Sequence, residues 1–65
     1  MLIVVNGHTH FVVEPHTLAA LLRSIAPIVP FAVSHNDEFV PRASYEKRSL
    51  AEGDRIDIVH PTVGG

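Results

Sequence analysis

The stretch Leu2-Ile3-Val4-Val5-Asn6-Gly7-His8-Thr9-His10-Phe11-Val12-Val13, and after it Thr17-Leu18-Ala19-Ala20-Leu21-Leu22-Arg23-Ser24-Ile25, decides the fold. Its first part is β-branched and apolar up to Asn6-Gly7. Asn-Gly is the strongest short hairpin signal, because a type I′ turn needs positive φ at both central residues. A second strand is therefore predicted at about Thr9 to Val13. Alternation puts Phe11 and Val13 on one face, and His10 and Val12 on the other. Glu14-Pro15 breaks this strand, since proline cannot donate to a ladder. In the second part Thr17 fits a helix N-cap. Leu18, Leu21, Leu22 and Ile25 fall at i, i+3, i+4 and i+7, an apolar stripe on one helix face. Pro27 closes that helix, and Pro30 marks an irregular connection. A hairpin followed by a one-faced helix has one economical solution, with the stripe buried against one face of the sheet. The prediction is a two-layer α+β domain.

Outward from there, Phe31 to Ser34 reads as a third strand, Asn36-Asp37-Glu38 as a turn, and Phe39-Val40 as a short fourth strand. Pro41 stops the fourth strand and places it at an edge or a strand end. Ala43 to Arg48 lacks sheet alternation and reads as an irregular or single helical turn, with Tyr45 packing inward. Glu52-Gly53-Asp54 is a tight turn. Arg55 to His60 alternates, Ile56 and Ile58 facing one way and Arg55 and Asp57 the other, and reads as the last strand. Pro61 ends it. The closing residues Thr62-Val63-Gly64-Gly65 carry little side-chain bulk at their end. Two glycines let a backbone thread a narrow channel and present a carboxylate. A frayed terminus is the plainer reading of the same residues.

Composition removes several classes of function. Sixty-five residues make one domain. The absence of cysteine excludes disulfides and thiolate-ligated zinc, so stability rests on packing by a chain that is 46% hydrophobic. It also fits a reducing compartment, and the cytoplasm is the expected location. A net charge of −2 argues against a sequence-independent binder of nucleic-acid phosphates. Arg42, Lys47 and Arg48 form a small basic cluster that a solvated surface accounts for. No apolar run approaches the ~20 residues needed to cross a bilayer, and Leu2–Val5 is too short for a signal-peptide core.

Five histidines raise a metal reading, because His8 and His10 would share a face of an extended strand. His16, His35 or His60 could supply a third ligand, yet spacing places no carboxylate beside them, and solvated or singly hydrogen-bonded imidazoles account for all five. Ser24, Ser34, Ser44 and Ser49 lack any nucleophile signature. Glu52 and Asp54 form a carboxylate pair that a charged turn explains. No catalytic residue and no metal ligand is assigned.

Taken in order, "IVVNG" at 3–7, "TLAALL" at 17–22, "AVSHNDEFVPR" at 32–42, "LAEGDRIDIV" at 50–59 and the final "GG" resemble the ThiS branch of the ThiS/MoaD family of ubiquitin-like β-grasp sulfur carriers. The resemblance runs from Ile3 to Gly65. Tyr45 stands where that family often has Trp, and His35 where a smaller or apolar residue is common. The resemblance implies a mixed sheet of four to five strands wrapped on one main helix, with the last strand central. It implies a β-grasp domain at 1–60 and a flexible tail at 61–65. It further implies a carrier for thiamine thiazole formation that is a protein cosubstrate, not an enzyme. An E1-like adenylyltransferase of the ThiF type would use ATP to adenylate the Gly65 carboxylate. Sulfur from a donor such as a cysteine desulfurase would convert it to a thiocarboxylate, and a thiazole synthase of the ThiG type would receive that sulfur. No cofactor is bound by the carrier itself, and neither nucleic acid nor membrane is a partner. Gly65 is then the reacting acyl group and Gly64 the clearance that admits it. Val63 and Val59 are candidate apolar contacts for the partner, with plain sheet packing as the other reading of Val59. The alternatives are another β-grasp sulfur carrier (the small subunit of molybdopterin synthase or a carrier for tRNA thiolation), a ubiquitin-like conjugation tag, and an interaction module.

Overall fold

The computed structural model describes residues 1–61. The first hairpin forms where Asn6-Gly7 predicts it, with φ of 49° and 81° at the two turn residues. It joins β1 (Leu2–Val5) to β2 (His8–Phe11) in antiparallel register, Val5 opposite His8 and Leu2 opposite Phe11. β2 is shorter than the alternation implies. Beyond Phe11, Val12 still exchanges bonds with the chain start, its amide donating to the Met1 carbonyl at 2.8 Å. Val12 is buried and Val13 exposed, so the predicted alternation of faces continues past the strand end.

Helix α1 (Leu18–Ile25) starts at Thr17, whose hydroxyl accepts from the Ala20 amide at 3.2 Å. That bond satisfies one of the amides an α-helix leaves unpaired at its start. The helix ends at Ala26, in the left-handed region at φ 52°, whose amide donates to the Leu22 carbonyl. Proline at 27 can supply no amide to continue it. Leu18, Ala19, Leu21 and Leu22 are buried, and Ile25 packs against the same core.

A second hairpin joins β3 (Ala32–His35) to β4 (Glu38–Val40). Its turn is tighter than the three residues expected. Asn36 and Asp37 both take positive φ, 51° and 70°, so two residues suffice and Glu38 enters the strand. A 3₁₀ helix (Arg42–Lys47) follows Pro41. Its exit is tied to the start of α1, with the Leu18 amide donating to the Arg48 carbonyl and the Leu50 amide to the His16 carbonyl, both at 2.9 Å. Gly53, at φ 84°, makes the turn into β5 (Arg55–Val59).

The sheet order is β2-β1-β5-β3-β4. β5 runs parallel to β1 and antiparallel to β3, so the last strand is the central one, and β4 lies at the edge that Pro41 foretold. Ile3, Val33, Val40, Ile56 and Ile58 point from the sheet onto α1 and are almost wholly buried. Burial of each such side chain contributes about 1.5–3 kcal/mol. No described element covers the opposite face of the sheet.

Candidate functional site

The candidate site is the end of β5 and the surface around it. Register fixes which side chains share the uncovered face. Val59 lies opposite Ala32, Asp57 opposite Ser34, and Ser34 opposite Phe39. Val59 is 58% exposed and Phe39 66% exposed. The Val59 side chain projects from the face that no described element covers. Farther across that face Arg55 reaches Asp57 at 3.2 Å and also pairs with Asp37. The uncovered face thus has a charged centre at Arg55 and Asp57, with Val59 and Phe39 on one side and the exposed cross-strand pair Leu2 and Phe11 on the other.

Just beyond β5, His60 packs edge-on against Phe31, with ring centroids 6.5 Å apart. Phe31 in turn stacks on Tyr45 at 6.5 Å. This row of three rings anchors the end of β5 to the loop before β3 and to the 3₁₀ helix. Tyr45 is half-buried against the core, as its inward packing requires. Val63, Gly64 and Gly65 lie outside the described residues.

Two asparagines hold β5, although the sequence alone places both only in turns. Asn6 Oδ1 accepts from the Ile58 amide at 2.6 Å, while its Nδ2 donates to the Ile58 carbonyl at 3.2 Å. The side-chain amide thereby replaces a peptide unit where β1 has already ended. On the other side, Asn36 Oδ1 accepts from the Arg55 amide at 2.7 Å. The signal in the sequence is asparagine, not aspartate, at the first turn position. Only the amide can both donate and accept.

Asp54 sits in the middle of a second network. Its carboxylate accepts from His35 Nε2 at 2.6 Å, from the Ala51 amide at 2.8 Å and from Asn36 Nδ2 at 3.1 Å. A carboxylate only accepts here, so His35 carries its proton on Nε2. Burial pushes the Asp54 carboxyl up, but the hydrogen bonds from His35, Ala51 and Asn36 outweigh it and hold the group below its ordinary value. His35 is therefore a turn-locking residue. Glu52 Oε1 accepts from the Leu2 amide at 3.1 Å. Glu52 and Asp54 are turn acceptors, as expected of a charged turn.

Among the described residues, no three histidine, aspartate or glutamate side chains gather where an ion could be held. Among them also, no helix is long and apolar enough to cross a membrane. The described residues thus offer a tethered strand end and an apolar margin.

A model of the ThiS family matches residues 3–65. The chain belongs to the ThiS family. That match includes the three candidate residues that the structure does not describe. Among solved structures, the crystal structure of the thiamine biosynthesis protein ThiS from Geobacter metallireducens is similar over 100% of both chains, with a TM-score of 0.84 and 22% identity. At that identity the likeness speaks for the fold, which is the ubiquitin-like β-grasp. No curated protein matches the chain. In this ThiS family member the central place of β5, which strand spacing alone could not supply, is that of the β-grasp.

Proposed function

We propose that this ThiS family member is a sulfur carrier of thiamine thiazole biosynthesis, acting through the carboxylate of Gly65. The observation that carries the reading is the family match, which runs through Gly64 and Gly65. The tethering of β5 and the exposed Val59 near its end support it.

The chemistry follows from what a carboxylate lacks. It is a poor acyl donor, because its leaving group would be oxide. In the proposed first step a Gly65 carboxylate oxygen attacks the α-phosphorus of ATP in an E1-like partner. A carboxyl O–P bond forms, the bond to the β-phosphate bridge breaks, and pyrophosphate leaves. In the second step a sulfur nucleophile attacks the acyl carbon and AMP departs with the bonding pair. Sulfide gives the thiocarboxylate directly. A persulfide gives an acyl disulfide, whose S–S bond a thiol must then reduce. The thiocarboxylate sulfur is finally delivered to a thiazole synthase. Gly64 provides clearance for a backbone entering the partner's channel. Val59 and Val63 supply apolar contact next to it. Beyond the Gly65 carboxylate itself, the carrier contributes no base, nucleophile or bound cofactor, and ATP belongs to the activating enzyme.

The test is protein-dependent exchange of labelled pyrophosphate into ATP by the cognate activating enzyme. Exchange with the chain ending at Gly65, and none when one alanine is appended, supports the reading. Equal exchange from both forms contradicts it.

A further inference from the structure

The face made by α1 and the 3₁₀ helix carries a groove that the tail chemistry leaves unused. It measures about 520 Å³, within the size range of ligand sites. Leu22, Pro27, Phe31 and Tyr45 form its apolar lining. Its margin continues into Val29 and Ile28, which are 75% and 80% exposed. A groove whose apolar margin is exposed to solvent suits a macromolecular occupant.

Charge identifies the chemistry of that occupant. Four of the five cations of the chain, Arg23, Arg42, Lys47 and Arg48, lie on α1, the 3₁₀ helix or the residue after it. Arg23 and Arg42 line the groove together with Glu46, which pairs with Arg23 at 3.0 Å, while Arg48 pairs with Glu38 outside the lining. The other cation, Arg55, is left with the remaining five carboxylates. In a chain of net charge −2, the lining of this groove thus carries two cations, Arg23 and Arg42, against one carboxylate, Glu46. Arg23 sits in the last turn of α1, where it also offsets the negative helix end. Arg42 lines the groove, is exposed and makes no ion pair among the described residues.

We propose that the α1–3₁₀ groove docks an acidic apolar segment of a partner protein, its apolar side chains seated between Leu22, Phe31 and Tyr45 and its carboxylate on Arg42. The contact of His60 with Phe31 places this second surface next to the end of β5. The docking does not depend on the chemistry of the tail.

Two synthetic peptides with the same leucine and phenylalanine residues, one flanked by aspartates and one by lysines, test it. Each is titrated into the full-length ¹⁵N-labelled chain and followed by amide chemical shifts. The aspartate peptide is expected to give saturable shifts at Leu22, Ala26, Phe31, Arg42 and Tyr45 that weaken with added salt. Arg42→Glu, at an exposed site with no ion pair among the described residues, raises Kd for that peptide about tenfold. Equal response to the lysine peptide, shifts confined to Val59 and Phe39, or no saturable shift overturns the proposal. Shifts that depend on protein concentration alone would assign the groove to a second copy. Shifts on deletion of residues 62–65, with no peptide present, would assign it to the chain's own tail. Either result also overturns it.

Discussion

Asn6 shows how much one side chain does for the strand that leads to the tail. It turns the chain at positive φ and bonds both backbone groups of Ile58. Asn6→Ala removes two hydrogen bonds and leaves alanine in the left-handed region. The expected loss is about 2–3 kcal/mol, read from urea unfolding. A loss below ~0.5 kcal/mol would mean that the bonds to Ile58 add nothing net. Asp54 gives a pH signature. Its carboxyl is held below the ordinary 3.8, so the folded state binds its proton less readily than the unfolded chain does. The resulting stability is present above that value and lost as pH falls through the folded pKa. Unfolding free energy should therefore drop on acidification below about 3.8, and the drop should be shallower in Asp54→Asn. Parallel acid profiles for the two proteins would remove Asp54 from the account. At Gly64 the expectation concerns chemistry: Gly64→Val keeps the unfolding midpoint and blocks activation, and ordinary thiocarboxylation of that variant would sink the clearance argument. Residue identity makes the turns legible, because Asn-Gly and Asn-Asp tolerate positive φ. It cannot disclose that Asn6 and Asn36 reach β5, since those partners lie 52 and 19 residues away in sequence.

The elements are legible wherever a local period meets a clear stop. The leucine stripe of α1, its Thr17 cap and its end before Pro27 are all local features, and all three stand in the structure. Thr17→Ala should cost about 1 kcal/mol by thermal or urea unfolding, through loss of the bond from Ala20. Leu18, fully buried at the start of the stripe, sets a larger scale. Leu18→Ala should cost about 2–5 kcal/mol. If the two substitutions cost the same, the stripe is not the main anchor of the helix. Strand ends are less legible, because pairing and not alternation ends a strand. β2 runs only to Phe11, although Val12 still bonds Met1 and Val13 continues the alternation of faces. The central position of β5 has no local signature. It arises from β1 pairing in parallel on one side and β3 on the other, and is reachable from sequence only through the family pattern.

At the scale of the whole molecule, one helix lies on one side of a five-stranded sheet, and the two surfaces differ in character. The uncovered sheet face has Arg55 and its carboxylates at the centre, with Val59 and Phe39 apart from them. The helix side has an apolar groove lined also by Arg23, Arg42 and Glu46. Both meet near the end of β5, where His60, Phe31 and Tyr45 stack. Of the candidate site, Val59 falls among the described residues, where it is exposed, whereas Val63, Gly64 and Gly65 lie outside them and rest on sequence and family. The central claim, that Gly65 carries sulfur, is most directly tested by intact mass spectrometry of the untagged protein. The protein is incubated with ATP, a sulfur source and its cognate activating enzyme. The account predicts the mass gain of one oxygen replaced by one sulfur, localised by fragmentation to Gly65. An unchanged mass, with the same enzyme shown competent on another carrier, would contradict it.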